Sequence, residues 1–206
     1  MGAAPDRPYV SRGGLKLRHA LDQFGIDPAG LVCADLGCST GGFTDCLLRA
    51  GAGRVFAVDT AYGQLAWTLR SDPRVTVLER SNALHTEPPS GAALGADLVV
   101  IDLGWTRQDR AIPAALRWLK PGGRIISLVK PHYEVERAEL DRLAVRGVLP
   151  EDNGARIAES VGSKFPALGV TLLGLTKSPV RGGKPSKRAD AEGNAEWLAL
   201  LERARP

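Results

Sequence analysis

Short apolar runs alternate along the chain with longer amphipathic stretches. Residues 31–36, 54–59, 75–79, 97–102 and 124–130 are short and dense in Val, Ile and Leu, which predicts strands. The run at 97–102 is apolar on both faces, as in a sheet covered on both sides. Between them, 43–50, 63–70 and 109–120 read as helices, the last with Ile112, Leu116 and Leu119 on one face. The Leu119-Lys-Pro-Gly-Gly123 string ends that helix and turns the chain into the fifth strand. Charged helical stretches follow over about 135–146 and 151–163. Residues 170–176 and 196–201 read as closing strands, although Trp197, Leu198, Leu200 and Leu201 also suit a helix. Strands alternating with helices predict an α/β fold, a mostly parallel sheet with helices on both faces. Such sheets take ligands at the carboxyl ends of their strands. The chemically informative residues of this chain fall there.

With 206 residues, 44% hydrophobic and 24% charged, the sequence predicts one globular domain over 1–206. It excludes a disordered chain and a small disulfide scaffold. Cys33, Cys38 and Cys46 match no zinc spacing and predict reduced thiols. His19, His85 and His132 show no metal-ligand spacing, so no metal is expected. There is no signal-peptide pattern, no membrane-length apolar run and no strongly amphipathic basic helix, which predicts a soluble cytoplasmic protein with no membrane partner.

The net charge of +4 is modest, but its placement changes the picture. Segment 7–19 holds Arg7, Arg12, Lys16, Arg18 and His19, and segment 177–188 holds Lys177, Arg181, Lys184, Lys187 and Arg188. Neither contains an acid. They predict either a footprint for a polyanion or two solvated surfaces. Residues 1–8 are expected to be flexible and 181–192 to form a basic loop.

The first strand runs into Asp35-Leu-Gly37-Cys-Ser39-Thr-Gly41-Gly42-Phe43. Glycines there allow a tight turn and a close ligand approach. The second strand ends in Asp59, 22 residues after Gly37, where an acid can accept both hydroxyls of a ribose. A dinucleotide site wants G-x-G-x-x-G, which this loop does not spell. Asp35 instead favours a cofactor carrying positive charge, such as S-adenosylmethionine. Asn82, after the third strand, suits an adenine edge or a simple turn.

Asp102 and Lys130 close two buried strands, where a charge is costly unless paired or functional. Adjacent parallel strands would set them side by side, as a structural ion pair or as catalytic groups. A lysine base for a hydroxyl must be neutral when it acts, and Lys16 is a candidate second cation to tune it.

These strings together, with Tyr9-Val-Ser-Arg-Gly-Gly-Leu-Lys16, Ala61-Tyr-Gly-Gln-Leu-Ala-Trp67, Leu128-Val-Lys-Pro-His-Tyr-Glu134 and Gly193-Asn-Ala-Glu196, resemble the TlyA (hemolysin A-like) branch of the FtsJ-type RNA methyltransferases. The resemblance implies a Rossmann-like fold with a seven-stranded sheet, one strand antiparallel. It implies S-adenosylmethionine held by Asp35, Gly37, Ser39, Gly41, Gly42, Phe43, Asp59, Asn82 and Asp102. The implied reaction is 2′-O-methylation of a ribose in ribosomal RNA or a ribosomal subunit, by a Lys16, Asp102, Lys130 and Glu196 tetrad with Lys130 as base. The chain departs from the family in three places. It starts just before the Tyr9 motif, where the family usually has an S4-like RNA-binding domain, so RNA contact would fall to the two basic segments or to a separate RNA-binding partner. Leu103–Arg107 replaces the usual Val-Ser-Phe. Residues 180–190 are unusually basic. Two rival readings are a methyltransferase for small-molecule hydroxyls and a non-catalytic RNA-binding or ribosome-assembly factor.

Overall fold

Side chains alternate across a strand, so each strand of a covered sheet serves two cores. In β1 (Val32–Leu36), Ala34 and Leu36 face one core while Cys33 faces the other. β2 (Arg54–Val58) and β4 (Ala96–Ile101) divide in the same way. The computed structural model describes residues 8–89, 95–183 and 193–204. Most of the expected flexible start at 1–8 and of the expected basic loop at 181–192 lies outside them.

The seven strands run in the order β3-β2-β1-β4-β5-β7-β6, with β3 at Val75–Leu78, β5 at Leu119–Val129, β6 at Val170–Lys177 and β7 at Trp197–Arg203. β3, β2, β1, β4 and β5 pair in parallel, and β7 runs against both of its neighbours. One face is covered by α1 (Gly13–Phe24) and α2 (Gly42–Arg49), through Leu17, Leu21, Phe43 and Leu47. The other is covered by α4 (Gln108–Trp118) and α7 (Glu151–Gly162), through Ile112, Trp118 and Ala158. The strand order switches between β1 and β4, which opens a crevice at their carboxyl ends.

Local departures from the sequence reading have physical causes. The sequence reading contained no helix over 13–24, yet α1 forms there and buries Leu17, Ala20 and Leu21. Its start, Gly13-Gly14, has poor helix propensity. The glycine is needed because a Cβ on Gly14 would stand 2.2 Å from the Tyr9 ring. The expected helix over 63–70 shrinks to α3 (Trp67–Arg70), since the Ala66 N–H donates to the Thr40 carbonyl and clasps the glycine loop instead. The expected helix over 135–146 shortens to α6 (Arg137–Leu143), and Val135 and Glu136 are extended between it and a preceding helical turn, α5 (Pro131–Glu134). Residues 119–123 are not a turn before β5 but an irregularity within it. Leu119 pairs with Ala96, and the register resumes at Arg124 with Leu98. Residues 197–203 are a strand and not a helix, because β7 is buried between β5 and β6.

Candidate active site

β1 delivers the glycine loop to the crevice. Gly37 has φ +93°, and a Cβ there would meet the Asp102 carbonyl at 2.6 Å, so the loop lies directly against the end of β4. Asp59, at the end of β2, ties the loop down. Its Oδ2 accepts from the Ser39 N–H at 2.8 Å and its Oδ1 from the Ala61 N–H at 2.8 Å. Asp35 sits behind the loop, fully buried, and accepts the Thr44 hydroxyl on Oδ2 at 2.6 Å. Its Oδ1 has no hydrogen-bond partner among the described residues. Burial pushes the Asp35 carboxyl up to about 7, with Asp102 and Asp59 adding to the rise and the Thr44 bond opposing it.

Two clefts open at this edge and share Gly37, Ser39 and Asp102. The larger, about 510 Å³, continues past Asp59 and Asn82 to Leu103, Trp105 and Lys130. The smaller, about 450 Å³, runs past Arg12, Lys16, Phe43 and Gly183. Both volumes suit a cofactor or substrate portion.

Two lysine–carboxylate pairs reach the clefts, Lys130 and Asp102 in the lining of the larger and Lys16 in that of the smaller. Lys130 Nζ lies 2.5 Å from Asp102 Oδ1 and donates to the Leu103 carbonyl at 3.1 Å. Lys16, on α1, pairs with Glu196, just before β7. Burial pushes the Glu196 carboxyl above the ordinary carboxylate range. Lys16 and Lys130 pull it back and Asp102 adds to the rise, so all four groups sit within one electrostatic neighbourhood. His132 is driven down to about 4 by burial and by Lys130 and Lys16, which keeps its ring neutral at physiological pH.

The structure thus brings Lys16, Asp102, Lys130 and Glu196 to one edge. Gly37, Ser39, Asp59, Asn82 and Asp102 line the larger cleft, while Gly42 and Phe43 line the smaller. Asp35 and Gly41 line neither and support the loop from behind. Asn82 uses Oδ1 to accept from the Leu84 N–H at 3.0 Å, as in a turn, leaving its amide nitrogen without a partner among the described residues.

Several cations of the basic segments have partners. Arg18 pairs with Asp22, Lys177 and Arg181 with Glu151, and Arg12 donates to the Gly183 carbonyl. Arg7, Lys184, Lys187 and Arg188 lie outside the described residues. The three cysteines are buried and unbonded to one another. Among the described residues no helix is long and apolar enough to cross a membrane.

Sequence reasoning missed two supports. Thr44 is the partner that makes buried Asp35 tolerable. Asp45 accepts the Val10 N–H at 2.8 Å and so anchors the start of α1 beside the glycine loop. Thr44 and Asp45 stand one turn into a helix that follows a glycine loop, and that position was the available signal.

The sequence profile of the FtsJ-like methyltransferases matches residues 9–170. The chain is 41% identical over 199 residues to the 16S/23S rRNA (cytidine-2′-O)-methyltransferase TlyA of Mycobacterium tuberculosis, covering 95% of this chain and 69% of that protein. A solved structure from Streptococcus thermophilus, provisionally described as a hemolysin, matches with a TM-score of 0.84 and 35% identity, over 98% of this chain and 70% of that one. The 1,6-didemethyltoxoflavin-N1-methyltransferase of Burkholderia thailandensis, solved with S-adenosylhomocysteine, shares the fold alone. It matches at a TM-score of 0.59 and 17% identity, over 94% of this chain and 78% of that one.

Proposed function

Since this chain belongs to the FtsJ-like methyltransferase family, we propose that it methylates a ribose 2′-hydroxyl of ribosomal RNA, with S-adenosylmethionine as donor. The observation that carries this reading is the position of the Lys130–Asp102 pair at the lip where the two clefts meet. The larger cleft fits the donor. Asp59 offers carboxylate oxygens to its ribose, Asn82 offers its adenine an amide nitrogen without a partner among the described residues, and bare Gly37 lets the loop pack against the Asp102 carbonyl. When bound, that cofactor supplies a methyl group on a cationic sulfur.

The chain's own residues do the rest. Lys130 Nζ is held by Asp102 and by the Leu103 carbonyl, and it is the group that takes the proton of the acceptor hydroxyl as that oxygen accepts the methyl group. Lys16 and Glu196, paired with each other, fix the local charge around it. Much of the rate comes from placing the oxygen in line with the methyl group. A 2′-hydroxyl acceptor would also distinguish RNA from DNA. The relative from Mycobacterium tuberculosis, whose name carries the same chemistry on ribosomal RNA, supports the substrate class.

The test is methyl transfer from labelled S-adenosylmethionine to unmodified ribosomal subunits and to naked ribosomal RNA, followed by nuclease mapping. The reading expects the label in a 2′-O-methyl nucleotide. Label on a base, or on a small molecule alone, overturns it.

A further inference from the structure

The loops that follow β4 and β5 are joined contact by contact. Lys130 Nζ donates to the Leu103 carbonyl at 3.1 Å. The Trp105 and Tyr133 rings stack with centroids 4.9 Å apart and planes 29° apart. Arg107 Nη1 donates to Glu136 Oε1 at 2.9 Å. The Gln108 N–H donates to Glu134 Oε1 at 3.0 Å. Buried Gln108 then reaches β5, donating through Nε2 to the Leu128 carbonyl at 3.2 Å and accepting the Ser127 hydroxyl at 2.7 Å.

These contacts are unequal. Glu136 is 82% exposed, so its ion pair with Arg107 contributes little. Trp105 is 88% exposed and holds φ +55°, a left-handed conformation costing roughly 1–3 kcal/mol in a non-glycine residue. Burial does not hold it there, so its neighbours must. Glu134 is half-buried and accepts the first free N–H of α4, where a carboxylate also meets the positive end of the helix. It ties the turn after Lys130 to the loop between Asp102 and α4.

We infer that Glu134 is a positioning residue, which fixes the 103–107 loop against the 130–134 turn and thereby sets the relative placement of Asp102, Lys130 and Trp105. The inference rests on the reading of Lys130 as the reacting base. A displacement of about 1 Å at such a centre costs on the order of 100-fold in rate.

Glu134→Ala is expected to lower kcat for ribosomal-subunit methylation by roughly 10- to 100-fold. Its dissociation constant for S-adenosylhomocysteine should change less than kcat does, since Gly37, Asp59 and Asn82 lie outside the 103–107 loop and only residues 103–106 of the cleft lining belong to it. Glu134→Gln retains an oxygen acceptor for the Gln108 N–H and should recover most of that rate. The Trp105 contribution to near-ultraviolet circular dichroism, taken as the difference between each protein and its Trp105→Phe counterpart, should collapse in the alanine variant and survive in the glutamine variant. If alanine lowers the melting temperature too far to assay, Glu134→Met removes the acceptor while keeping the volume. Parental kcat and an intact Trp105 signal in the alanine or methionine variant would overturn the inference, as would a glutamine variant as defective as alanine. A fully active Lys130→Ala variant would overturn the assignment of Lys130 as base instead, while the Trp105 signal would still report on the clamp.

Discussion

Lys16 and Glu196 meet across 180 residues of sequence and are almost entirely out of water, with side chains 10% and 3% exposed. Lys130 and Asp102 meet across the ends of neighbouring strands, and their side chains remain 13% and 27% exposed at the lip of a cleft. The same two charge types therefore do different work. Removing one partner of a buried pair leaves an uncompensated charge in a low-dielectric site, at a cost of about 3–5 kcal/mol. Removing Lys130 leaves Asp102 beside open space that water can fill. The buried pair should be read mainly through stability, and the open pair mainly through rate.

The largest effect expected from that contrast is on catalysis. Lys130→Ala should reduce methyl transfer by at least roughly 100-fold, within the range for loss of a general base. Its urea unfolding midpoint should stay near the parent's. Stability should respond next, and in the other pair. Lys16→Met should cost about 3–5 kcal/mol in urea unfolding, and adding Glu196→Gln should recover part of that loss, because the stranded carboxylate is then gone. A third and smaller effect concerns the loop beneath the open pair. Asp59→Asn should weaken S-adenosylhomocysteine binding about tenfold, or ~1.4 kcal/mol, by calorimetry. Its oxygens hold the Ser39 and Ala61 amides as well as facing the cleft.

A separate effect, read across pH rather than at one pH, is expected at Asp35. Its carboxyl is raised to about 7 in the folded protein, above the ordinary aspartate value. The folded chain therefore binds more protons than the unfolded chain across that window. Stability associated with this group is present below the unfolded value and is lost as pH rises through about 7. The slope is at most about 1.4 kcal/mol per pH unit for one proton. Asp35→Asn removes the titration, so its melting temperature relative to the parent should climb between about pH 4 and 7 and level off above. A constant difference across that range would show that Asp35 does not titrate there.

The sequence exposed the open pair far more readily than the buried one. Asp102 and Lys130 each terminate an apolar run, and parallel pairing of neighbouring strands is enough to bring them together. Lys16 and Glu196 are joined only because α1 packs on the α2 side of the sheet while β7 is inserted between β5 and β6. No local pattern announces either event, and α1 itself was hidden by its glycine start. The strands were legible because buried parallel strands are continuous apolar runs. The 63–70 and 135–146 stretches were not, because Ala66 is spent on clasping Thr40 and Glu136 on holding Arg107 at the start of α4. In the sequence Asp35 and Asp59 both read as cofactor-facing acids, Asp35 toward a cationic group and Asp59 toward a ribose. The period-two alternation of β1, which turns Asp35 toward α2, separates a buried support from a cleft-facing acceptor.

The most direct test of the division between the two pairs is one assay on one variant. Lys130→Ala, shown by calorimetry to bind S-adenosylhomocysteine and by urea titration to be folded, is given unmodified ribosomal subunits and labelled S-adenosylmethionine beside the parent protein. The account predicts a labelled 2′-O-methyl nucleotide with the parent and none above background with the variant. Equal labelling by the two proteins would contradict it and remove Lys130 from the chemistry.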